Sequence, residues 1–380
     1  MRLQALIPRR VLTPSGFESG KAVLVENGMI VELVPAADCP AGAQQHDLDG
    51  DLLPGFIDLQ VNGGGGVLFN DQPTVDGIAA IARAHRRFGT TGLLPTLISD
   101  DLDVVERAIR AVDDAIEQGV PGVLGIHIEG PFLNPAKKGI HDPAKFRLLD
   151  QQAIDLLSSL KRGRTLVTLA PELAPLGAVR ALTQRGVVVA AGHTDASFEQ
   201  VGAALDEGLA GFTHLYNAMT QLGSRAPGAV GAALDDERSW CGLIVDGHHV
   251  HPAALRVALR AKGAEKLALV TDAMSTVGSE VKEFRLGGRL IVARDGRCAD
   301  GAGTLAGSDL DMGSAVRNAE TMMKVDFATA VRMASESPAR AIGLRSLRGI
   351  VAAGAHADLV LMDADKQVVE TWINGVSERV

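Results

Sequence analysis

The chain has 380 residues, 46% of them hydrophobic and only 3% aromatic, with a formal net charge of −9. That balance excludes a strongly basic nucleic-acid binder, and with no run of 18 apolar residues no membrane span is expected. One large α/β domain with appendages fits the length, its core built mainly from Ala, Val, Leu and Ile.

The opening residues, MRLQALIPRRVLTPSG, hold no apolar stretch long enough for a signal peptide, so a cytoplasmic protein is expected. Segments 22–26 and 29–34 flank Asn27-Gly28, a two-residue hairpin signal. The middle then alternates buried strands with amphipathic helices, the pattern of a parallel α/β fold. Eight strands are expected at residues 53–59, 92–98, 123–128, 166–170, 187–191, 211–215, 242–245 and 267–270. The clearest helical patterns run over 74–88, 102–118, 196–207 and 252–262. A doubly wound open sheet shows the same alternation, but eight units with polar residues at their strand ends favour a (β/α)8 TIM-like barrel. After the eighth strand a hairpin over 284–298 is expected at the barrel mouth or against the small domain, and helices 309–323 and 327–336 close the barrel. Apolar runs at 358–362 and 369–373 mirror the start of the chain. Both termini are therefore expected to form a small β-sandwich domain, residues 1–51 with 346–380, around a barrel of residues 52–345.

The three cysteines, Cys39, Cys241 and Cys298, are odd in number and lack metal-type spacing, against a disulfide framework or a zinc knuckle. The run Gly63–Gly66 has neither the lysine of a P-loop nor a dinucleotide-binding spacing, and reads as a tight turn. An anionic substrate would need a local basic pocket working against the net charge.

Barrel active sites sit at the C-terminal strand ends. The third strand ends in His127-Ile128-Glu129, the fifth in Gly192-His193-Thr194, the sixth in Thr213-His214-Leu215 and the eighth in Thr271-Asp272-Ala273. Taken singly, such residues are usually solvated or hydrogen-bonded loop groups. Together, Glu129, His193 and His214 make a His2Glu set of the kind that holds catalytic zinc with a position left open, and Asp272 is left as a base beside it. His127 lies on the same strand face as Glu129 and reads either as a partner of the ligands or as a packed barrel histidine.

Pro54–Asp58 (PGFID), these strand ends and Gly349-Ile350…Gly354…Ala357–Val360 resemble the amidohydrolase superfamily. Within it, HIEGPFL (133 at its end), Gly192-His193, THLYNAM (213–219), DGHH (246–249) and VTDA (270–273) are similar to the N-acetylglucosamine-6-phosphate deacetylase family. The resemblance implies metal ligands at Glu129, His193 and His214, and Asp272 as catalytic base and acid. It implies His141 near the substrate carbonyl, with Ile140 beside it. It also implies substrate contacts from Asn217, Ala218 and the loop Leu305, Ala306, Gly307 and Ser308, and a phosphate-binding pair, Arg225 and His249. Many superfamily members carry His-x-His at the end of the first strand. Here that position reads Gln60-Val61-Asn62, and amides are poor transition-metal ligands. One divalent metal per chain is therefore expected, zinc first, with iron, cobalt or manganese as alternatives; Gln60 and Asn62 remain candidate site residues. The implied reaction is hydrolysis of the acetamide of a phosphorylated amino sugar by a homodimer, with no nucleic-acid or membrane partner. The rival readings are an amidohydrolase acting on another N-acyl compound, a cyclic amide or a deaminable base, and a non-catalytic barrel scaffold.

Overall fold

The computed structural model describes residues 3–380. The eight parallel barrel strands are β1 (Phe56–Val61), β2 (Thr90–Ile98), β3 (Gly125–Glu129), β4 (Arg164–Leu169), β5 (Val188–Ala191), β6 (Gly211–Phe212), β7 (Trp240–Leu243) and β8 (Leu267–Leu269). They are hydrogen-bonded in chain order. The ring closes on its C-terminal side, where Val61 bridges Ala273 and the Asn62 N–H donates to the Ala273 carbonyl at 2.9 Å. Helices cover the outside, so the strands are buried on both faces and read as apolar runs rather than alternations.

The helices follow from spacing and caps. In Leu102–Glu117 the buried Val105, Ala108, Ile109, Val112 and Ala115 recur at helical spacing and form the inward stripe. Ser197 opens Phe198–Asp206 with a reciprocal capping box to Gln200, which satisfies two otherwise orphaned backbone donors.

The second domain draws on both ends of the chain. Gln44–Pro54 pairs in parallel with Gln4–Thr13 on one side and antiparallel with Leu359–Met362 on the other. All eight strands of this domain join in one mixed sheet. Asn27 and Gly28 both take positive φ (50° and 83°) in the hairpin between Lys21–Glu26 and Met29–Pro35, as a two-residue primed turn requires. Arg86, at the end of the first barrel helix, ties the domains together. It donates to Thr371 Oγ1 at 3.0 Å and to the Val376 carbonyl at 2.8 Å.

Three expectations shift. The strand expected over 53–59 is divided at Gly55, between the terminal sheet and β1. The Gly55 N–H donates to the Asp358 carbonyl at 2.9 Å, and a Cβ at this position would sit 2.0 Å from Thr91 Oγ1. Only a residue without a side chain lets the chain pass from one domain to the other here. Gly55→Ala is accordingly expected to destabilise the fold by about 1–3 kcal/mol through overpacking, read as a lower denaturant midpoint. The hairpin expected over 284–298 is a four-stranded antiparallel sheet, Glu283–Leu286, Arg289–Arg294, Arg297–Asp300 and Leu305–Ser308, because the last segment folds back beside Arg297–Asp300. It stands at the barrel mouth, where His248 Nε2–H donates to the Asp295 carbonyl at 3.0 Å. The helix expected over 309–323 is α-helical only over Met312–Asn318 and widens into a π turn at Ala319–Met323, ending at Lys324 with φ 63°.

Candidate active site

Glu129 ends β3, and His193, His214 and Asp272 follow β5, β6 and β8 within three residues. The last three have φ of 49°, 32° and 52°. The left-handed region costs a non-glycine residue on the order of 1–3 kcal/mol and persists where the surroundings over-determine it, which is common at functional sites. Here each turn ends a strand and delivers a side chain to one cavity of about 400 Å³. Beneath Asp272, the buried Asp58 of the PGFID segment accepts from Thr271 Oγ1 at 2.5 Å and from the Thr271 N–H at 3.2 Å, clamping the turn. Burial pushes the Asp58 carboxyl up to about 7.

Glu129 Oε1 lies 3.1 Å from His193 Nε2 and 3.0 Å from His214 Nε2, and the two nitrogens are 3.1 Å apart. The ligand atoms of all three residues fall within 4.8 Å of one another, and all three side chains are buried. His193 Nδ1–H donates to the Lys137 carbonyl at 2.8 Å, which leaves the Nε2 lone pair facing the other two groups. One carboxylate and two imidazoles converging in this way fit a divalent cation. Burial would raise the Glu129 carboxyl, but its bonds to the two histidines hold it well below the usual carboxylate range. Burial opposes charge on His214 too, yet Glu129 wins and raises it.

Asp272 faces the same cavity outside that triad. Burial, reinforced by the Glu129 charge, pushes it up to about 6. Gln60 Nε2 donates to Asp272 Oδ1 and to Glu129 Oε2, both at 3.1 Å, and Asn62 Nδ2 donates to Asp272 Oδ1 at 2.6 Å.

The cavity gathers most of the remaining candidates. His141 is buried, with the Ser99 N–H and Oγ 3.4 and 2.8 Å from its Nδ1. An Nδ1 that accepts from a backbone amide leaves the proton on Nε2. Burial, then the neighbouring His193, lower His141 to about 3, so it is a neutral donor. His249 lines the cavity and its Nδ1–H donates to Asp246 Oδ2 at 2.6 Å. Ile140, Asn217, Ala218, Leu305 and Gly307 line it as well. Ala306 and Ser308 do not: side chains alternate along Leu305–Ser308, so Ala306 packs into the small apolar cluster behind it, and Ser308 Oγ donates to the Thr271 carbonyl at 2.6 Å. Arg225 lies in a fully exposed stretch, residues 221–226, and is not among the residues lining this cavity, so one chain does not bring it to His249 there. His127 is a packed barrel histidine: its Nε2 sits 2.8 Å from Thr168 Oγ1, and burial lowers it to about 4.

Sequence reasoning passed over Ser99 and Asp246, which set the ring orientations of His141 and His249. Asp246 had a signal, standing three residues before His249; Ser99 had none, because it reaches His141 across 42 residues of chain. Ile98 and Met274 of the cavity wall carried no polar mark either.

Residues 52–377 match the family described as the amidohydrolase family. The chain is 44% identical over 369 residues to an N-acetylgalactosamine-6-phosphate deacetylase of Shewanella sp. (strain ANA-3), covering 96% of this chain and 93% of that protein. It is 35% identical over 358 residues to an N-acetylglucosamine-6-phosphate deacetylase of Haemophilus influenzae, covering 93% of each. Among solved structures, the N-acetylglucosamine-6-phosphate deacetylase of Pasteurella multocida superposes with a TM-score of 0.96 at 32% identity, over 100% of both chains.

Proposed function

The chain belongs to the amidohydrolase family, and from that premise we propose that it hydrolyses the acetamide of N-acetylglucosamine 6-phosphate to glucosamine 6-phosphate and acetate. The observation that carries this reading is the convergence of Glu129, His193 and His214 on one point, with Asp272 and the Nε2–H of His141 facing the same cavity. The relatives named above supply the substrate class.

A divalent metal held by Glu129, His193 and His214, zinc by preference, supplies Lewis acidity and makes water nucleophilic near neutral pH. Asp272 takes the proton of the attacking water through Oδ2, because Oδ1 is already engaged by Gln60 and Asn62. His141 donates from Nε2 to the carbonyl oxygen as negative charge develops there. Asp272 then returns its proton to the nitrogen, since an amine leaves readily only when protonated. His249, held by Asp246, and Arg225 bind the remote phosphate and orient the sugar. The exposed position of Arg225 supports its reaching the cavity of a second subunit in a homodimer. The division into a terminal sheet and a barrel belongs to the same reading, with the boundary expected between 51 and 52 moved to Gly55, because Leu52, Leu53 and Pro54 pair with Leu361, Val360 and Leu359 in the terminal sheet.

A second reading is favoured by the relative at 44% identity: the galacto epimer, which differs only at C4 and asks the same chemistry of the same residues. Acetate release from the two phosphorylated epimers and from bare N-acetylglucosamine, with metal content measured on the same sample, tests both. Preference for one phosphorylated sugar, with about one metal per chain as three protein ligands predict, is the expected result; metal bound without turnover of any of them removes the named substrates. Arg225→Ala is expected to lower kcat/KM for the phosphorylated sugar by on the order of 100-fold, as for a lost charge-assisted contact, and to leave the bare sugar nearly unaffected. Equal losses on both would exclude a phosphate role.

A further inference from the structure

We propose that Asn62 is itself a catalytic residue, its Oδ1 accepting the N–H of the scissile amide, and that Gln60 is a positioning residue for Asp272. This deepens the amide-hydrolase reading and rests on it.

The orientation of the Asn62 amide follows from its neighbour. The atom 2.6 Å from Asp272 Oδ1 must be the N–H donor, because two acceptors would repel at that distance. Asn62 Oδ1 is then fixed on the other side of the group. It is buried, has no hydrogen-bond partner among the described residues, and belongs to a side chain that is 3% exposed and lines the cavity. A buried acceptor without a partner costs about 1–3 kcal/mol. Such an atom points to a ligand that brings a donor.

The substrate of an amide hydrolase presents one donor next to the reacting carbon, its N–H. The carbonyl oxygen needs donors, which His141 supplies, and has no use for an acceptor. An N–H held by Asn62 Oδ1 keeps the nitrogen beside Asp272, because the same Asn62 side chain grips Asp272 through Nδ2. The step balances there. Water oxygen bonds to the carbonyl carbon and one water proton passes to Asp272 Oδ2. That proton then passes to the nitrogen lone pair, the C–N bond breaks, and its electrons stay on the departing amine. The N–H held by Asn62 is never transferred; it sets which face of the nitrogen receives the proton.

Gln60 acts one step further back. A single Nε2 bridges Glu129 Oε2 and Asp272 Oδ1, both at 3.1 Å, and the side chain is 1% exposed. A neutral amide thus spaces two carboxylates that would otherwise repel, and leaves Oδ2 as the free oxygen of Asp272.

The test compares the amide with an ester that lacks the N–H, 2-O-acetylglucose 6-phosphate, using the purified metal-loaded enzyme with metal content and melting temperature measured throughout. Asn62→Ala is expected to keep its metal and to lose at least about 10-fold more kcat on the amide than on the ester, one hydrogen bond's worth of selectivity, with KM little changed. Gln60→Ala is expected to slow both substrates by the same factor. If Asn62→Ala melts early or loses its metal, Asn62→Asp decides. It retains the acceptor, and its other oxygen can stay against Asp272 Oδ1 only by sharing a proton with it, which burdens the base, so both rates fall while the amide-to-ester ratio stays at the wild-type value. Equal losses on both substrates in Asn62→Ala, or a collapsed ratio in Asn62→Asp, overturn the N–H contact. Two metals per wild-type chain, one of them lost in Asn62→Ala, would assign Oδ1 to a cation and overturn it as well. A wild-type enzyme that cleaves neither the amide nor the ester removes the functional reading, and this inference with it.

Discussion

Asp272→Asn is expected to lower kcat by about 10²–10⁴-fold, the usual contribution of a positioned general base, while metal content and melting temperature stay at wild-type values. The substitution is isosteric, and Asp272 lies outside the three-residue ligand set. Its oxygen can still accept from Asn62 and Gln60, so the turn after β8 keeps its support. What is lost is the capacity to take a proton from water and return it to nitrogen. Without metal the Asp272 carboxyl stands near 6, raised by burial and by the Glu129 charge. A bound dication favours the ionised form and moves this value down. The base must be ionised to act, so activity is present above its pKa and lost as pH falls through it. The acid limb of kcat/KM in the holoenzyme therefore lies below 6. Turnover retained in Asp272→Asn, measured as acetate release, would remove Asp272 as the base.

Glu129→Gln is expected to lose the metal and with it turnover, by at least as large a factor as Asp272→Asn. Glu129 is the one anionic member of the triad, and its Oε1 is the atom both imidazoles approach, at 3.1 and 3.0 Å. An amide brings no charge and is a poor ligand beside imidazole. Removing metal from the wild type with a chelator is expected to have the same effect, reversed by adding back a divalent ion in slight excess. The variant is not restored at that concentration. Protons compete with the metal for the histidines, and because Glu129 raises His214, this competition begins at a higher pH than for an ordinary imidazole. Metal content measured across the pH range is therefore expected to fall as pH drops. A Glu129→Gln protein that holds a full equivalent after dialysis would exclude Glu129 as a ligand.

The strand-end carboxylate, imidazoles and aspartate were legible because a parallel barrel places every C-terminal strand end on one rim. Once eight βα units were counted, residues separated by as many as 143 positions, from Glu129 to Asp272, had to share a face. The break at Gly55 was not legible, because the need for a bare Cα there comes from Thr91, on a neighbouring strand. The strand alternation that turns Ala306 and Ser308 away from the cavity was equally hidden, since segment 305–308 becomes a strand only by pairing with Arg297–Asp300.

Gln60 and Asn62 mark the boundary most clearly. By itself the sequence determined that the first strand ends in amides rather than imidazoles, and so that a second metal has poor ligands there. It also singled out Glu129, His193 and His214, the cluster that could hold a metal ion, since ligand chemistry belongs to residue type and barrel position follows from chain order. Only the tertiary structure decided what the amides do instead. The barrel closes by bringing β1 against the segment after β8, with the Asp272 N–H bonded to the Gln60 carbonyl at 2.9 Å. That contact joins residues 212 positions apart. It exists because a sheet rolled into a ring has no free edges, and no local pattern of residues encodes which side chains meet at the seam.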